Sequence, residues 1–302
     1  MDTVSAFEKE IAMQLDFIQK FVPQRKLSAK RQKNSVFCGT GDSFASSQLA
    51  EVFSNFQVRV YDPLDLIKNK KLVHGRDLYL VSISGNTVSN VKLAKMHKKT
   101  IAITANPDSR LAKTCKRLIL LRFDSTGIQT SGSISFLASA LTCISLVSKY
   151  PIRNAAKIYR HAVKAAKDVS LGKKVYVLGN LYTVPVAMFC AAKLHEVLGA
   201  TALYERIEQF SHAGLFSARR GDTVLLFEPK NQHNGRLLKN LQGCGLDARR
   251  IEPPTKNLQE QILFFIFVSE LIALYAAKKK KKKDCFFIEE NELRNASSSM
   301  IY

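Results

Sequence analysis

The six cysteines of this 302-residue chain, Cys38, Cys115, Cys143, Cys190, Cys244 and Cys285, form no CxxC pair and no Cys/His ligand spacing. Most sit among apolar neighbours, where cysteine behaves as a small hydrophobe, so neither a metal cluster nor a redox pair is indicated. No stretch approaches eighteen uncharged apolar residues; the nearest, Ile262 to Ala277, contains Glu270 and is too short to span a bilayer. Residues 1–22 mix charges with an apolar periodicity and lack the apolar core of a signal peptide. These absences predict a soluble cytoplasmic protein with no membrane role. Acidic residues are scarce, 25 against 46 Lys and Arg, for a net charge of +21. Such a balance suits an anionic partner: nucleic acid, an acidic membrane surface or phosphorylated metabolites. Apart from the run Lys278 to Lys283, the charge is spread along the chain with no basic, aromatic-interleaved segment, which argues against a nucleic-acid function. The run itself reads as a solvated helix end, because cations are favoured at a helix C-terminus.

The chain has the length and apolar content for two ordinary domains, with 46% hydrophobic residues. Val4, Phe7, Ile11, Leu15, Ile18 and Phe21 recur at helical spacing, so it opens with an amphipathic helix, followed by a basic linker from Gln24 to Lys33. Short apolar runs then alternate with helical patterns: strands at 36–38, 58–61, 78–81, 100–104 and 118–121, helices at 44–53 and from Val88. That alternation predicts an α/β fold with a parallel sheet covered on both faces and ligands beyond the carboxyl ends of its strands.

Three loops follow such strand ends. Gly39-Thr40-Gly41-Asp42-Ser43 leaves the first strand, and Ser82-Ile83-Ser84-Gly85-Asn86-Thr87 leaves the central one. The third, 125–133, holds Thr130, Ser131 and Ser133 and opens a helix over 134–149. Hydroxyls, glycines that permit close approach and the free N–H groups of a helix start can wrap a dianion without formal positive charge. The competing reading is a set of ordinary Ser/Thr/Asn helix caps.

Pro151 breaks the pattern, the stretch 155–169 bridges, and a degenerate second copy begins. Val175 to Gly179 repeats strand plus glycine, 184–198 the following helix, and Gly221 to Phe227 echoes Gly75 to Val81. The second copy of the hydroxyl loop is Glu228-Pro229-Lys230-Asn231, whose carboxylate would repel phosphate. The expected division is 1–33 helix and linker, 34–150 first domain, 151–277 second domain, and 278–302 lysine run and tail.

The glycine loop, the Ser-x-Ser-Gly-x-Thr loop and the hydroxyl-rich third loop, in a duplicated unit, resemble the sugar isomerase (SIS) domain over residues 30 to 302. The resemblance implies two flavodoxin-like doubly wound domains in tandem, as in the isomerase part of glucosamine-6-phosphate synthase and the archaeal phosphoglucose/phosphomannose isomerases. It also implies a phosphorylated sugar as ligand, no cofactor and a homodimer. Ser82, Ser84 and Thr87 would hold the phosphate, with Gly85 and Asn86 of the same loop, Gly39, Thr40, Gly41 and Ser43, and the third loop contributing, and Lys193 would join the substrate-binding set. Lys193-Leu194-His195-Glu196 looks like the synthase segment that ends in the catalytic glutamate, and His212, sixteen residues on, matches the ring-opening histidine.

The chemistry is consistent with those residue types. Aldose–ketose interconversion opens the ring and moves one proton between C1 and C2 through an enediol; a carboxylate can shuttle that proton and a histidine can serve the ring oxygen. Taken singly, Glu196 reads as a solvated partner of Lys193, and His212 as a hydrogen-bonded loop histidine. Glu208 lies four residues before His212 and could orient it, or act as base instead of Glu196; with no third ligand the pair does not suggest a metal. The tail 291–299 resembles the synthase tail, but Ser298 stands where that tail carries its lysine, and no glutaminase domain precedes the first helix. Both departures argue against glucosamine-6-phosphate synthesis and leave isomerisation open, with a regulatory sugar-phosphate binder or a deglycase/deaminase as alternatives.

Overall fold

The structure is a computed structural model that describes residues 1–149 and 152–302; the expected break at Pro151 lies outside the described residues. The chain divides into two compact units, each with its own parallel sheet. The five-strand unit comprises Asp16–Ser125, Gly132–Tyr150 and Asn291–Tyr302. Its strands β1 (Ser35–Cys38), β2 (Arg59–Tyr61), β3 (Asp77–Val81), β4 (Thr100–Thr104) and β5 (Arg117–Leu120) lie in the order β2-β1-β3-β4-β5, all parallel. Strand β3 is central because Leu78, Tyr79, Leu80 and Val81 are all wholly buried, as a strand covered on both faces requires.

Alternate residues of these strands feed two cores. Phe37, Tyr79, Val81, Ile101 and Ile103 face Ala50, Cys143 and Leu146, with the Phe37 and Tyr79 rings stacked 4.6 Å apart. Val36, Cys38, Leu78, Leu80 and Ala102 face Leu66, Val91, Leu93 and Leu111. The strand order reverses between β1 and β3, so the 39–43 and 82–87 loops leave adjacent carboxyl ends at the topological switch point, where open α/β sheets bind ligands. Within the expected linker, Ala29–Lys33 is a short helix rather than an irregular segment, because the Ser28 side chain caps it by accepting from Arg31 N.

The four-strand unit comprises Met1–Leu15, Thr126–Ser131 and Pro151–Glu290. Strands β6 (Lys174–Gly179), β7 (Thr201–Arg206), β8 (Thr223–Leu226) and β9 (Asp247–Arg250) take the order β7-β6-β8-β9, again parallel. Leu258–Lys279 is long and apolar enough to cross a membrane by length and composition, yet most of its side chains are buried in this unit. Phe265 stacks on Phe227 at 4.8 Å, and buried Glu270 accepts two bonds from Gln14 Nε2 at 2.8 and 3.0 Å. The helix outruns the apolar stretch at both ends: Asn257 caps its start by accepting from Glu260 N, and the first two lysines of the run continue its last turn. Lys278 pairs with Glu8 and Lys282 with Glu289.

Candidate functional site

The 82–87 loop is held in shape by the segment that follows β4. Ile83 O accepts from Thr104 Oγ1 at 3.0 Å and Gly85 O from Leu111 N at 2.9 Å. Asn86 is gripped twice by Arg110, whose main-chain N donates to Asn86 Oδ1 at 3.3 Å and whose guanidinium donates to Asn86 O. Ser82 Oγ accepts from Gly85 N at 3.1 Å and lies 3.2 Å from Thr87 Oγ1, while Ser84 Oγ accepts from Asn86 N at 3.3 Å. Three carbonyls of the loop are therefore tied off, and the main-chain N–H groups of Ser84 and Thr87 keep no intrachain partner among the described residues. Free donors at a helix start with the nearby carbonyls engaged elsewhere are what an anion needs.

The glycine loop beside it turns tightly. A side chain at Gly39 would stand 2.7 Å from Ser43 main-chain atoms, so only glycine lets β1 run directly into the helix Asp42–Phe53. The Thr40 and Ser43 hydroxyls have no intrachain partner among the described residues, whereas Ser43 O is taken by Ser46 and Ser47.

The third loop is divided between the units. Ser133, wholly buried, starts the helix Ile134–Val147 of the five-strand unit. Thr130 and Ser131 belong to the four-strand unit, where Thr130 Oγ1 donates to Thr3 O at 2.8 Å. Ser131 Oγ donates to Glu196 Oε2 at 2.6 Å. Ser131 and Glu196 are 65 residues apart, a contact that no local pattern announces.

Glu196 is thereby the focus of a small polar constellation on the helix Val184–Leu198. Lys193 is fully buried and places Nζ 2.6 Å from Glu196 Oε2 and 5.0 Å above the Phe189 ring. An ammonium withdrawn from water is tolerable only with such partners. Both polar contacts converge on Oε2, so the carboxylate, itself 38% exposed, is fixed in direction while Oε1 stays available. His195 turns elsewhere, with Nε2 2.7 Å from Ala202 O of β7. His212 ends the short helix Ile207–His212, and its Nε2 lies 3.8 Å from Glu208 Oε1, both side chains being largely exposed. Glu196 and His212 share no hydrogen bond or ion pair among the described residues.

In the four-strand unit, Gly179 makes a close turn like that at Gly39, since a side chain there would stand 2.7 Å from Thr183 Oγ1. Its loop is already filled. Glu228 Oε1, at the end of β8, accepts from Asn180 N at 2.9 Å and from Thr183 Oγ1 at 2.8 Å. The carboxylate that the sequence marks as hostile to phosphate thus occupies the helix start where an anion would sit. Burial pushes the Glu228 carboxyl above the usual glutamate range, partly offset by the bonds from Thr183 and Asn180. A raised folded-state value means that the ionised group opposes folding above that value, and that the penalty fades as pH falls through it. Glu228→Gln, which keeps an acceptor oxygen, is expected to match or exceed the parent's melting temperature at pH 7, with the gap narrowing at pH 4. Glu228→Ala orphans both donors and should cost about 1–3 kcal/mol. Thermal unfolding of both variants at the two pH values checks this; equal losses would show that the charge itself is needed.

No family model and no curated protein sequence matches the chain. Solved structures resemble it over nearly its whole length. Glucosamine-6-phosphate deaminase from Thermotoga maritima superposes with a TM-score of 0.69 at 17% identity, covering 93% of this chain and 95% of that one. The C-terminal domain of glucosamine-fructose-6-phosphate aminotransferase from Francisella tularensis gives 0.69 at 14% identity, covering 94% and 97%. Tagatose-6-phosphate ketose/aldose isomerase from Escherichia coli gives 0.69 at 14% identity, covering 93% and 90%. At such identities the likeness establishes the fold.

Proposed function

We propose that the chain is a phosphosugar isomerase interconverting an aldose phosphate and a ketose phosphate, a hexose or hexosamine 6-phosphate, through an enediol. The observation that carries this reading is the Glu196 carboxylate, oriented by buried Lys193 and by Ser131 through one oxygen and open at the other. Oε1 is then the atom that takes the C2 proton and returns it to C1, and Lys193 and Ser131 keep it aimed. Ser82, Ser84 and Thr87 with the Gly39–Ser43 loop take the phosphate, and anchoring a substrate in this way removes much of the entropic part of a barrier. His212, exposed on its helix, serves the ring oxygen from a second copy in a homodimer. The fold it shares with a ketose/aldose isomerase supports this assignment.

A second reading rests on one observation: His212 stands 76% exposed and unconnected to Glu196. It describes a regulatory protein that binds sugar phosphate without turning it over. Proton NMR in D2O with a panel of hexose and hexosamine 6-phosphates separates the two. Deuterium entering at C1 or C2 of one sugar is the expected result. Line broadening without exchange for any sugar would replace the isomerase with the binding protein.

A further inference from the structure

Read along the chain the positive charge is dispersed, but folding collects it. Every segment that enters a strand of a parallel sheet arrives at one edge, opposite the edge from which the 39–43 and 82–87 loops leave. In the five-strand unit the entering segments are unusually basic. Exposed Lys33 precedes β1, Lys71 precedes β3, Lys98 and Lys99 precede β4, and Lys116 and Arg117 lead into β5. Hydrogen bonds bind these segments into one continuous rim. Asp77 N donates to Asn34 O at 2.9 Å, Lys99 Nζ to Gly75 O at 3.0 Å, Leu78 N to Lys99 O at 2.8 Å, and Lys116 N to Thr100 Oγ1 at 3.3 Å.

The acids at this rim are Asp77 and Glu51, and Glu51, at the end of the helix that leads into β2, lies 4.0 Å from Arg59. Residues 66–122 contain thirteen Lys and Arg but two acids, Asp77 and Asp108. Asp77 is spent on Arg31 at 3.1 Å, and Asp108 follows β4, at the opposite edge. Asp42, Asp62 and Asp124 likewise follow β1, β2 and β5. Among the described residues none of the six rim cations forms an ion pair. Unneutralised like charges on one edge repel one another and lower stability, so a ligand that neutralises them binds favourably.

Shape narrows the ligand. The cations stand at the entrances of four adjacent strands, β1, β3, β4 and β5, and strands lie about 4.8 Å apart, so the row is about 14 Å long. One strand of a duplex places a phosphate about every 3.4 Å along the axis, so the row faces about four. The entering segments 29–34, 70–76, 96–99 and 115–117 contain no Phe, Tyr or Trp on which bases could stack. We propose that this amino-end rim is a docking surface for the phosphodiester backbone of a nucleic acid, bound without base specificity. The inference is independent of the sugar-phosphate reading, which concerns the opposite edge of the same sheet.

The test uses the full chain and a fluorescently labelled 20-base-pair DNA duplex, followed by anisotropy over a salt series. Neutralising about four phosphates predicts a log–log salt slope of about −3.6. Replacing Lys33, Lys71, Lys98 and Lys116 together by Gln should weaken binding at least tenfold and flatten the slope, with a melting temperature at or above the parent's. Replacing Lys279, Lys280, Lys281 and Lys283 by Gln should change affinity less than twofold. The proposal is overturned if the first variant binds like the parent, or if the second loses as much as the first. It is equally overturned if millimolar hexose 6-phosphate displaces the duplex, or if phosphatidylserine vesicles bind and the duplex does not.

Discussion

Glu196→Gln is expected to slow solvent-deuterium exchange into the sugar by roughly 10²–10⁴-fold while leaving sugar-phosphate affinity within about twofold. The asymmetry follows from where the residue sits. Its Oε2 is engaged by Lys193 and Ser131, and an amide oxygen can keep that position, but the –NH2 then presented in place of Oε1 cannot take up the C2 proton. Phosphate is held by other residues, so binding survives. The substitution also removes the negative charge 2.6 Å from the fully buried Lys193 ammonium, and a loss of stability of up to about 3 kcal/mol should accompany the loss of exchange. Single-turnover NMR and a denaturant titration on one preparation read both effects. Exchange at the parental rate would remove Glu196 from the mechanism. Unaltered stability would mean that Lys193 finds its compensation elsewhere.

Gly85→Ala should abolish measurable sugar-phosphate binding and destabilise the five-strand unit by about 2–5 kcal/mol. Gly85 has φ +64°, a conformation that costs an L-residue roughly 1–2 kcal/mol. Its Cβ would also stand 2.1 Å from Ser109 Oγ and 2.5 Å from Ser109 Cβ. Ser109 cannot step aside, since it is buried and its hydroxyl caps the next helix by accepting from Ala112 N at 3.2 Å. The loop would have to lift off Leu111 and Arg110, and the donors at Ser84 and Thr87 would lose their arrangement. Gly41→Ala is the control: its φ is +52° but its Cβ would meet open space, so only the conformational cost is expected. Isothermal titration with a hexose 6-phosphate and thermal unfolding of both variants decide the matter. Parental affinity in Gly85→Ala would move the phosphate away from this loop.

Much of the architecture is legible in the sequence for a specific reason. Strands β1, β3, β4, β6 and β8 are buried on both faces and therefore print as short unbroken apolar runs. Strands β7 and β9 lie at the sheet's two edges and read Thr-Ala-Leu-Tyr-Glu-Arg and Asp-Ala-Arg-Arg, with no periodicity to expose them. The polar helix Gln232–Gly243 and the tail helix Asn291–Ile301 are silent for the same reason. At the candidate site, Lys193 and Glu196 are visible because one helical turn separates them. The approach of Ser131 to Glu196 and of Glu228 to Thr183 depends on chain closure over 65 and 45 residues, which spacing cannot encode. The rim of cations escapes a linear reading too, because its members come together only when parallel strands align their entrances.

The carboxylate of Glu228, lodged against the loop that follows Gly179, sets the four-strand unit apart from the five-strand unit. A helix start that holds no external anion still leaves main-chain donors to satisfy. An internal side chain that supplies the missing negative charge discharges that obligation permanently. The half so sealed keeps its architecture without depending on any metabolite, and its helix Val184–Leu198 can specialise in holding Lys193 and Glu196.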